Sequence, residues 1–373
     1  MDASTTARQV VFDGVGAVRI DSIGLPSLGH DDVLVRIAMV GICATDLHLL
    51  AGHIGDPFPL VPGHEFVGEV AALGDGARVK RGIAVGDHVA VEMLLPCGAC
   101  ARCREGRYNL CEKDAPASGR DGGRQYGVNI PRTTAPGLWG GYAEYLFAPD
   151  AAVIHTMPSG LPWDHAVLVE PLAVAHRALA RGRLRPGEDV VIIGPGPVGL
   201  LAAAAARASG AGRVIIVGTR PSRLALARRF GADAIVDSTT VEDLPGAVRD
   251  VLGGQLPDLV VETAGVVNAQ VDAVRSVRRG GRVVLAGACG AGQTLGVLAD
   301  EDLLTREIDV LPSFLSAGGF EPAIAQLNRG EFPFHELVTH RFALDDVERA
   351  FSLIESRADG VVKAVLEPRR TKE

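Results

Sequence analysis

One stretch constrains this chain more than any other: Val190-Val-Ile-Ile-Gly194-Pro-Gly196-Pro-Val198-Gly199-Leu-Leu, continuing through Ala202 to Ala206. Four β-branched apolar residues predict a buried strand, the glycines a tight turn, and the alanine-rich run a helix. Strand, G-x-G-x-x-G and helix in that order form a dinucleotide-binding fingerprint. Gly194 permits the turn, Gly196 lets backbone approach a pyrophosphate, and Gly199 allows close helix–strand packing, with Val198 in the same turn. The helix start then directs its free N–H groups at the phosphates.

Around this stretch, from about 187 to 312, short apolar runs alternate with helical segments. The runs Val190–Ile193, Val214–Val217, Leu259–Val261 and Val283–Ala286 have the continuous hydrophobicity of strands buried on both faces of a parallel sheet. A helical segment such as Arg223–Phe230 lies between them, so the expected class is α/β with a doubly wound sheet. Residues 1 to about 90 read differently. Short strands such as 32–40 follow one another between turn signals, and no long helical period intervenes. Trp139-Gly-Gly-Tyr-Ala-Glu-Tyr145 predicts a further strand, and residues 115–140 an exposed or lid-like loop. Beyond 312 the pattern holds one helix, 344–356, and a last strand, 361–366.

Six cysteines occupy positions 43, 97, 100, 103, 111 and 289. Cys97, Cys100, Cys103 and Cys111 form C-x2-C-x2-C-x7-C, which suits a closed tetrahedral site of the structural kind. An iron–sulfur cluster competes, because C-x2-C-x2-C also opens ferredoxin runs. The seven-residue gap before Cys111 and the lack of a second such motif favour zinc. Cys43, in Gly41-Ile-Cys43-Ala-Thr45-Asp46-Leu-His48, and His64 and Glu65, in Pro62-Gly63-His64-Glu65-Phe-Val-Gly68, offer a thiolate, an imidazole and a carboxylate from separate segments. Such a set can hold a zinc ion that keeps an open position. Glu170, before Pro171 at a predicted helix start, is either a favourable charge near that N-terminus or a further ligand.

Composition excludes several other classes. The formal net charge of −8 gives no electrostatic footprint for nucleic acid. The longest apolar run is broken by glycine and proline and is too short to span a membrane. The opening residues lack a basic segment followed by an apolar one, so the expectation is a soluble cytoplasmic protein.

At the end of the second strand of a nucleotide-binding sheet, Asp or Glu normally bonds the ribose hydroxyls of NAD. Here that strand ends in Gly218-Thr219-Arg220. No carboxylate repels a 2′-phosphate, a hydroxyl can donate, and a guanidinium can grip it. NADP is therefore expected in preference to NAD.

Taken together, Gly63-His64-Glu65-x-x-Gly68, the four-cysteine lobe and Gly194-x-Gly196-x-x-Gly199 resemble the zinc-containing medium-chain alcohol dehydrogenase family over essentially the entire chain. Glu170-Pro171 resembles its polyol, glucose and threonine dehydrogenase branch. The resemblance implies a β-rich GroES-like catalytic domain over 1–170 with a structural zinc lobe at 97–111. It also implies a doubly wound Rossmann domain over 171–312 and a C-terminal segment, 313–373, returning to the catalytic domain. It implies Cys43 and His64 on catalytic zinc with Glu65 or Glu170 as the remaining protein ligand, and Asp46 orienting the ligand histidine. Thr45 and His48 match a proton relay, with Glu65 beside them, and Lys363 matches a basic position near the cofactor. The implied activity is hydride transfer between a small secondary alcohol or polyol and NADP or NAD, in a homodimer or homotetramer. The rivals are a zinc-free quinone or enoyl reductase and a non-catalytic nucleotide-binding protein; both are expected to lack the ligand set.

Overall fold

Residues 5–114, 123–356 and 360–370 are described by the computed structural model. The chain divides into two units, Met1–Glu170 with Phe334–Glu373, and Pro171–Pro333. In the first unit the elements run β1 (Thr6–Gly14), β2 (Ala17–Gly24), β3 (Val33–Gly41), α1 (Ala44–Leu50), β4 (Glu65–Leu73), α2 (Asp75–Arg81) and β5 (His88–Val91). They continue with α3 (Ala101–Arg104), β6 (Tyr145–Ala148), β7 (Ile154–Thr156) and α4 (Trp163–Ala166). The division then falls inside α5 (Val169–Arg181). The second unit holds β8 (Val190–Ile193), α6 (Pro197–Ala208), β9 (Val214–Gly218), α7 (Pro221–Ala227), β10 (Ala234–Asp237) and α8 (Leu244–Val251). It closes with β11 (Leu259–Glu262), α9 (Val267–Arg275), β12 (Arg282–Leu285), β13 (Asp309–Pro312) and α10 (Phe320–Arg329). The chain then returns to the first unit with β14 (Val338–Phe342), α11 (Val347–Ser356) and β15 (Lys363–Leu366).

In the first unit a sheet of order β14-β15-β3-β4-β5-β7, with β6 also on β3, carries the site. Strand β15 runs antiparallel to β3, with Val365 opposite Gly41 and Leu366 opposite Val40. That single pairing brings the last strand of the chain beside the loop that leads into α1. The second unit is a six-stranded parallel sheet of order β10-β9-β8-β11-β12-β13. The chain moves from β8 outward to β10, then crosses to β11 on the other side. The order therefore reverses between β8 and β11, where ligands of such sheets sit beyond the carboxyl ends. Val191, Ile215, Val260 and Val283 are fully buried in its core with Val248 and Ala273, which accounts for the unbroken apolar strands.

Several expectations need correction. Residues 313–333 belong to the second unit, so the return to the first begins at Phe334 and not at 313. Helix α10 is held there at its start, where a Cβ on Gly319 would overlap the Ala173 carbonyl, and through His176 Nε2 to Gln326 Oε1 at 2.8 Å. The loop expected over 115–140 lies partly, at 115–122, outside the described residues. Its remainder is packed: Tyr126, Leu138 and Trp139 are buried, and Asp114 accepts from the Arg124 N–H at 2.9 Å and Asn129 Nδ2 at 3.1 Å. A polar network with no periodicity stands in for regular structure. The strand expected from Trp139 starts only at Tyr145, because Gly140 and Gly141 lie against the Val61 carbonyl and the Phe66 ring where side chains would collide. Residues 1–90 also contain α1 and α2, each seven residues long and too short to show a helical period.

Candidate active site and metal centres

Two clusters of potential metal ligands form among the described residues. Ligand atoms of Cys97, Cys100, Cys103 and Cys111 all lie within 4.8 Å of one another, as do those of Cys43, His64 and Glu65.

In the four-cysteine lobe the backbone folds around the sulfurs. The N–H of Cys100 donates to Cys97 Sγ at 3.3 Å, that of Cys103 to Cys100 Sγ at 3.4 Å and that of Cys97 to Cys111 Sγ at 3.4 Å. Such donors favour thiolate. The N–H groups of Ala99 and Cys100 bring Cys97 down to about 6. Burial and the neighbouring sulfurs push Cys103 up to about 12. Four convergent sulfurs unable to ionise together without a cation fit a tetrahedral zinc ion.

The second cluster is assembled from three segments. Cys43 sits at the start of α1, and its N–H donates to Asp46 Oδ2 at 2.8 Å. Tyr142, fully buried, donates its hydroxyl to the same oxygen at 2.7 Å. The other oxygen of Asp46 faces His64 Nδ1 at 3.6 Å, and neither atom has a hydrogen-bond partner. Burial alone would disfavour the imidazolium, but Asp46 and Cys43 hold the His64 pKa well above its ordinary value. Gly63 precedes it with φ of +90°, and a Cβ there would overlap the Tyr142 ring, so only glycine brings His64 this close. Thr45 Oγ1 lies 3.5 Å from Cys43 Sγ. His48 is exposed at the end of α1, its Nδ1 3.3 Å from Nδ1 of His53, which is exposed too.

Glu65 and Glu170 occupy different positions. The carboxylate within the compact ligand set is that of Glu65. Glu170, 6% exposed, stands beside it; burial first and then repulsion from Glu65 raise its pKa to about 7. Two buried carboxyls with a thiol and an imidazole form a donor set short of positive charge, which a zinc ion fits. Lys363 pairs its buried ammonium with Glu65 Oε2 and donates to the Ile42 carbonyl at 3.1 Å. The β15–β3 pairing puts it there, and the ammonium is committed to Glu65. Tyr142 and this ion pair were not foreseen, because each joins positions far apart in sequence. Trp139 is core: its indole lies 5.4 Å from the Phe147 ring, and its N–H donates to the Thr134 carbonyl.

In the second unit the fingerprint forms the turn between β8 and α6. Gly194 has φ of +107°, and a Cβ on it would lie 2.7 Å from the Ala264 nitrogen. A Cβ on Gly199 would overlap the Gly194 carbonyl, whereas Gly196 is open. Gly196 is the N-cap of α6, Pro197 its first residue and Val198 its half-buried second. Gly218 ends β9 against the Pro195 ring, Thr219 is exposed, and Arg220 is the N-cap of α7. Two residues that the sequence did not single out brace the turn. Thr263 donates its hydroxyl to the Gly194 carbonyl at 2.9 Å, and buried Glu262 accepts the N–H groups of Ala264 at 2.6 Å and Gly265 at 2.8 Å.

The model of the alcohol dehydrogenase GroES-like domain matches residues 29–159, and that of the zinc-binding dehydrogenases matches residues 197–329. The chain belongs to the zinc-containing medium-chain alcohol dehydrogenase family. Sorbitol dehydrogenase of Bacillus subtilis is 32% identical over 97% of this chain and 98% of its own. Erythritol/L-threitol dehydrogenase of Mycolicibacterium smegmatis is 32% identical over 94% and 95%. A zinc-binding dehydrogenase from Sinorhizobium meliloti 1021, solved with NADP bound, superposes with a TM-score of 0.86 at 30% identity, covering 98% of this chain and 100% of that one. The dehydrogenase is accordingly a zinc-dependent oxidoreductase that acts on alcohols with a nicotinamide nucleotide. Among its described residues no helix is long and apolar enough to cross a membrane.

Proposed function

We propose that the dehydrogenase oxidises a secondary alcohol or polyol to the ketone, reversibly, with NADP preferred over NAD. The observation that carries this reading is the compact set of Cys43, His64 and Glu65 with Asp46 behind it, in a chain whose β9 ends without a carboxylate. The substrate gives up one proton and one hydride; the hydride goes to the nicotinamide ring, which leaves as the reduced nucleotide. Zinc in the first set would supply Lewis acidity toward the alcohol oxygen. Cys43, His64 and Glu65 would hold it, with Glu170 as the alternative carboxylate. Asp46 fixes the tautomer of His64 through Oδ1 while Cys43 and Tyr142 hold Oδ2. Thr45 relays the hydroxyl proton, accepting it as it passes its own on toward His48, which is exposed at the end of its helix and releases one to water. Cys97, Cys100, Cys103 and Cys111 hold the structural zinc. Gly194, Gly196, Val198 and Gly199 cradle the pyrophosphate; Gly218, Thr219 and Arg220 take the adenosine 2′-phosphate.

The family likeness further supports a homodimer or homotetramer. Four thiols gathered for a metal, with all six cysteines unpaired, support the reducing cytoplasm. The test is the initial rate of nicotinamide reduction across secondary alcohols and polyols with NADP and NAD in parallel, for wild type and Cys43→Ala. Turnover should be lost in the variant while nucleotide affinity stays within about twofold. Wild-type rates in the variant would remove zinc catalysis, and a higher rate with NAD would reverse the cofactor preference.

A further inference from the structure

A cleft of about 520 Å³ opens within the second unit. Arg177 and Arg181 of α5 line it with Arg183 just beyond that helix, and Gly318 and Pro322 line it around the start of α10. No Asp or Glu is among the described residues that line it. His176 also lines it but is held below its ordinary pKa by burial, so the charge there belongs to three guanidinium groups. Capping of α5 does not account for them. The closing carbonyls of Ala178, Ala180 and Leu179 already accept the N–H groups of Gly182, Arg183 and Leu184 at 2.9, 3.0 and 3.1 Å. Arg177 and Arg181 stand four residues apart on one helix face, where like charges repel. Arg183 has φ of +53°, the left-handed conformation that normally selects glycine after a helix. An arginine kept in that place is kept for its side chain. Arg177 Nη1 donates to the Ala317 carbonyl at 2.8 Å, Arg181 Nε donates to the Pro312 carbonyl at 3.2 Å, and Arg183 joins Asp309 in an exposed ion pair. A guanidinium has five N–H donors, and both Nη groups of Arg181 lack a protein partner among the described residues.

We infer that this cleft is a binding site for a phosphate dianion, carried by inorganic phosphate or by a small phosphomonoester. Its oxygens accept from several planar guanidinium forks at once, and its two charges offset the repulsion between Arg177 and Arg181. A neutral polyol offers neither. The volume exceeds what a lone ion fills and lies in the range of small-molecule sites. The first turn of α10 adds backbone N–H groups and the positive end of its dipole. None of the lining residues belongs to the glycine fingerprint or to Gly218–Arg220, so the site is additional to the one proposed for the nucleotide. A bound dianion ties the end of α5 to the segment that leads into α10.

Isothermal titration calorimetry at fixed ionic strength tests it, with inorganic phosphate, glucose 6-phosphate and glucose as probes. The enzyme is first saturated with whichever nicotinamide nucleotide it binds better, so that nucleotide phosphates occupy their own positions. The variants are Arg181→Gln, Arg183→Gly and, as a control, Arg249→Ala, whose arginine is exposed on α8. Arg183→Gly removes a guanidinium and relaxes the left-handed backbone, so it keeps the fold. Wild type should bind one phosphate group per chain with a Kd of about 1 mM or tighter. Arg181→Gln and Arg183→Gly should each weaken it about tenfold or more, the worth of a charge-assisted hydrogen bond, and Arg249→Ala should leave it unchanged. Tighter binding of glucose 6-phosphate than of inorganic phosphate would support the site with a phosphomonoester as its ligand, and the reverse would support it with the free ion. No saturable binding of either up to about 10 mM would overturn the inference. Equal affinity in wild type, Arg181→Gln and Arg183→Gly would also overturn it, as would an equal loss in Arg249→Ala, the mark of non-specific attraction.

Discussion

Replacing Lys363 by Met tests whether the buried ion pair with Glu65 holds the first unit together. The side chains are 3% and 4% exposed, so water cannot replace a lost partner. Methionine keeps the length of the lysine stem and removes the charge. Glu65 is then left buried without its ammonium, Glu170 adds repulsion, and the Ile42 carbonyl loses its donor. Breaking one side of a buried pair costs about 3–5 kcal/mol. The lower end of that range is expected in zinc-replete buffer, where the metal shares the counter-charge. Glu65→Gln should cost a similar amount from the other side. The double variant is a neutral pair, so its loss should fall short of the sum of the singles by about 2 kcal/mol or more. Urea unfolding followed by tryptophan fluorescence suits the measurement, because both tryptophans, Trp139 and Trp163, lie in the first unit. Strictly additive losses, or a single loss below about 1 kcal/mol, would refute the reasoning.

Two further perturbations follow from the structure. Cys100→Ser should lower zinc from two ions per chain to one and shift thermal unfolding downward, measured by elemental analysis and calorimetry; one zinc per chain in wild type would count against separate sites. Burial holds His176 below its ordinary pKa of 6.5, outweighing the Gln326 bond, which raises it, so the unfolded chain binds its proton more readily than the folded one. The stability that neutral His176 permits is present above about pH 6.5 and is lost as pH falls below it. Urea midpoints at pH 7.5 and 5.5 should therefore fall less in His176→Gln than in wild type, and identical falls would contradict this.

What was legible in the sequence was local. The fingerprint, its flanking strand and helix, and the four-cysteine lobe each lie within one short segment, where chemistry depends on spacing along the chain. The parallel strands were legible because burial on both faces leaves continuous β-branched runs, as in Val190–Ile193. What was missed depends on pairings distant in sequence. Lys363 reads as one basic residue in an apolar strand until β15 is placed beside β3. Tyr142 reads as a strand aromatic until its hydroxyl meets Asp46, 96 residues away. The packed segment 123–140 was misjudged because its order comes from Asp114, Asn129 and close glycine contacts, none of which leaves a period.

Asp46 joins these two kinds of information. Its place three residues after Cys43 is a local fact, and it lets one carboxylate oxygen hold the Cys43 N–H. Its value to His64 is long-range and depends on Tyr142, which occupies the rest of that oxygen and leaves Oδ1 facing the imidazole. Gly63 is required in turn, since only a residue without a Cβ lets the tyrosine ring and the histidine share this space. A backbone N–H, an imidazole and a phenol from three segments thus converge on one buried carboxylate. The geometry of the ligand set follows from that convergence as much as from the ligands themselves.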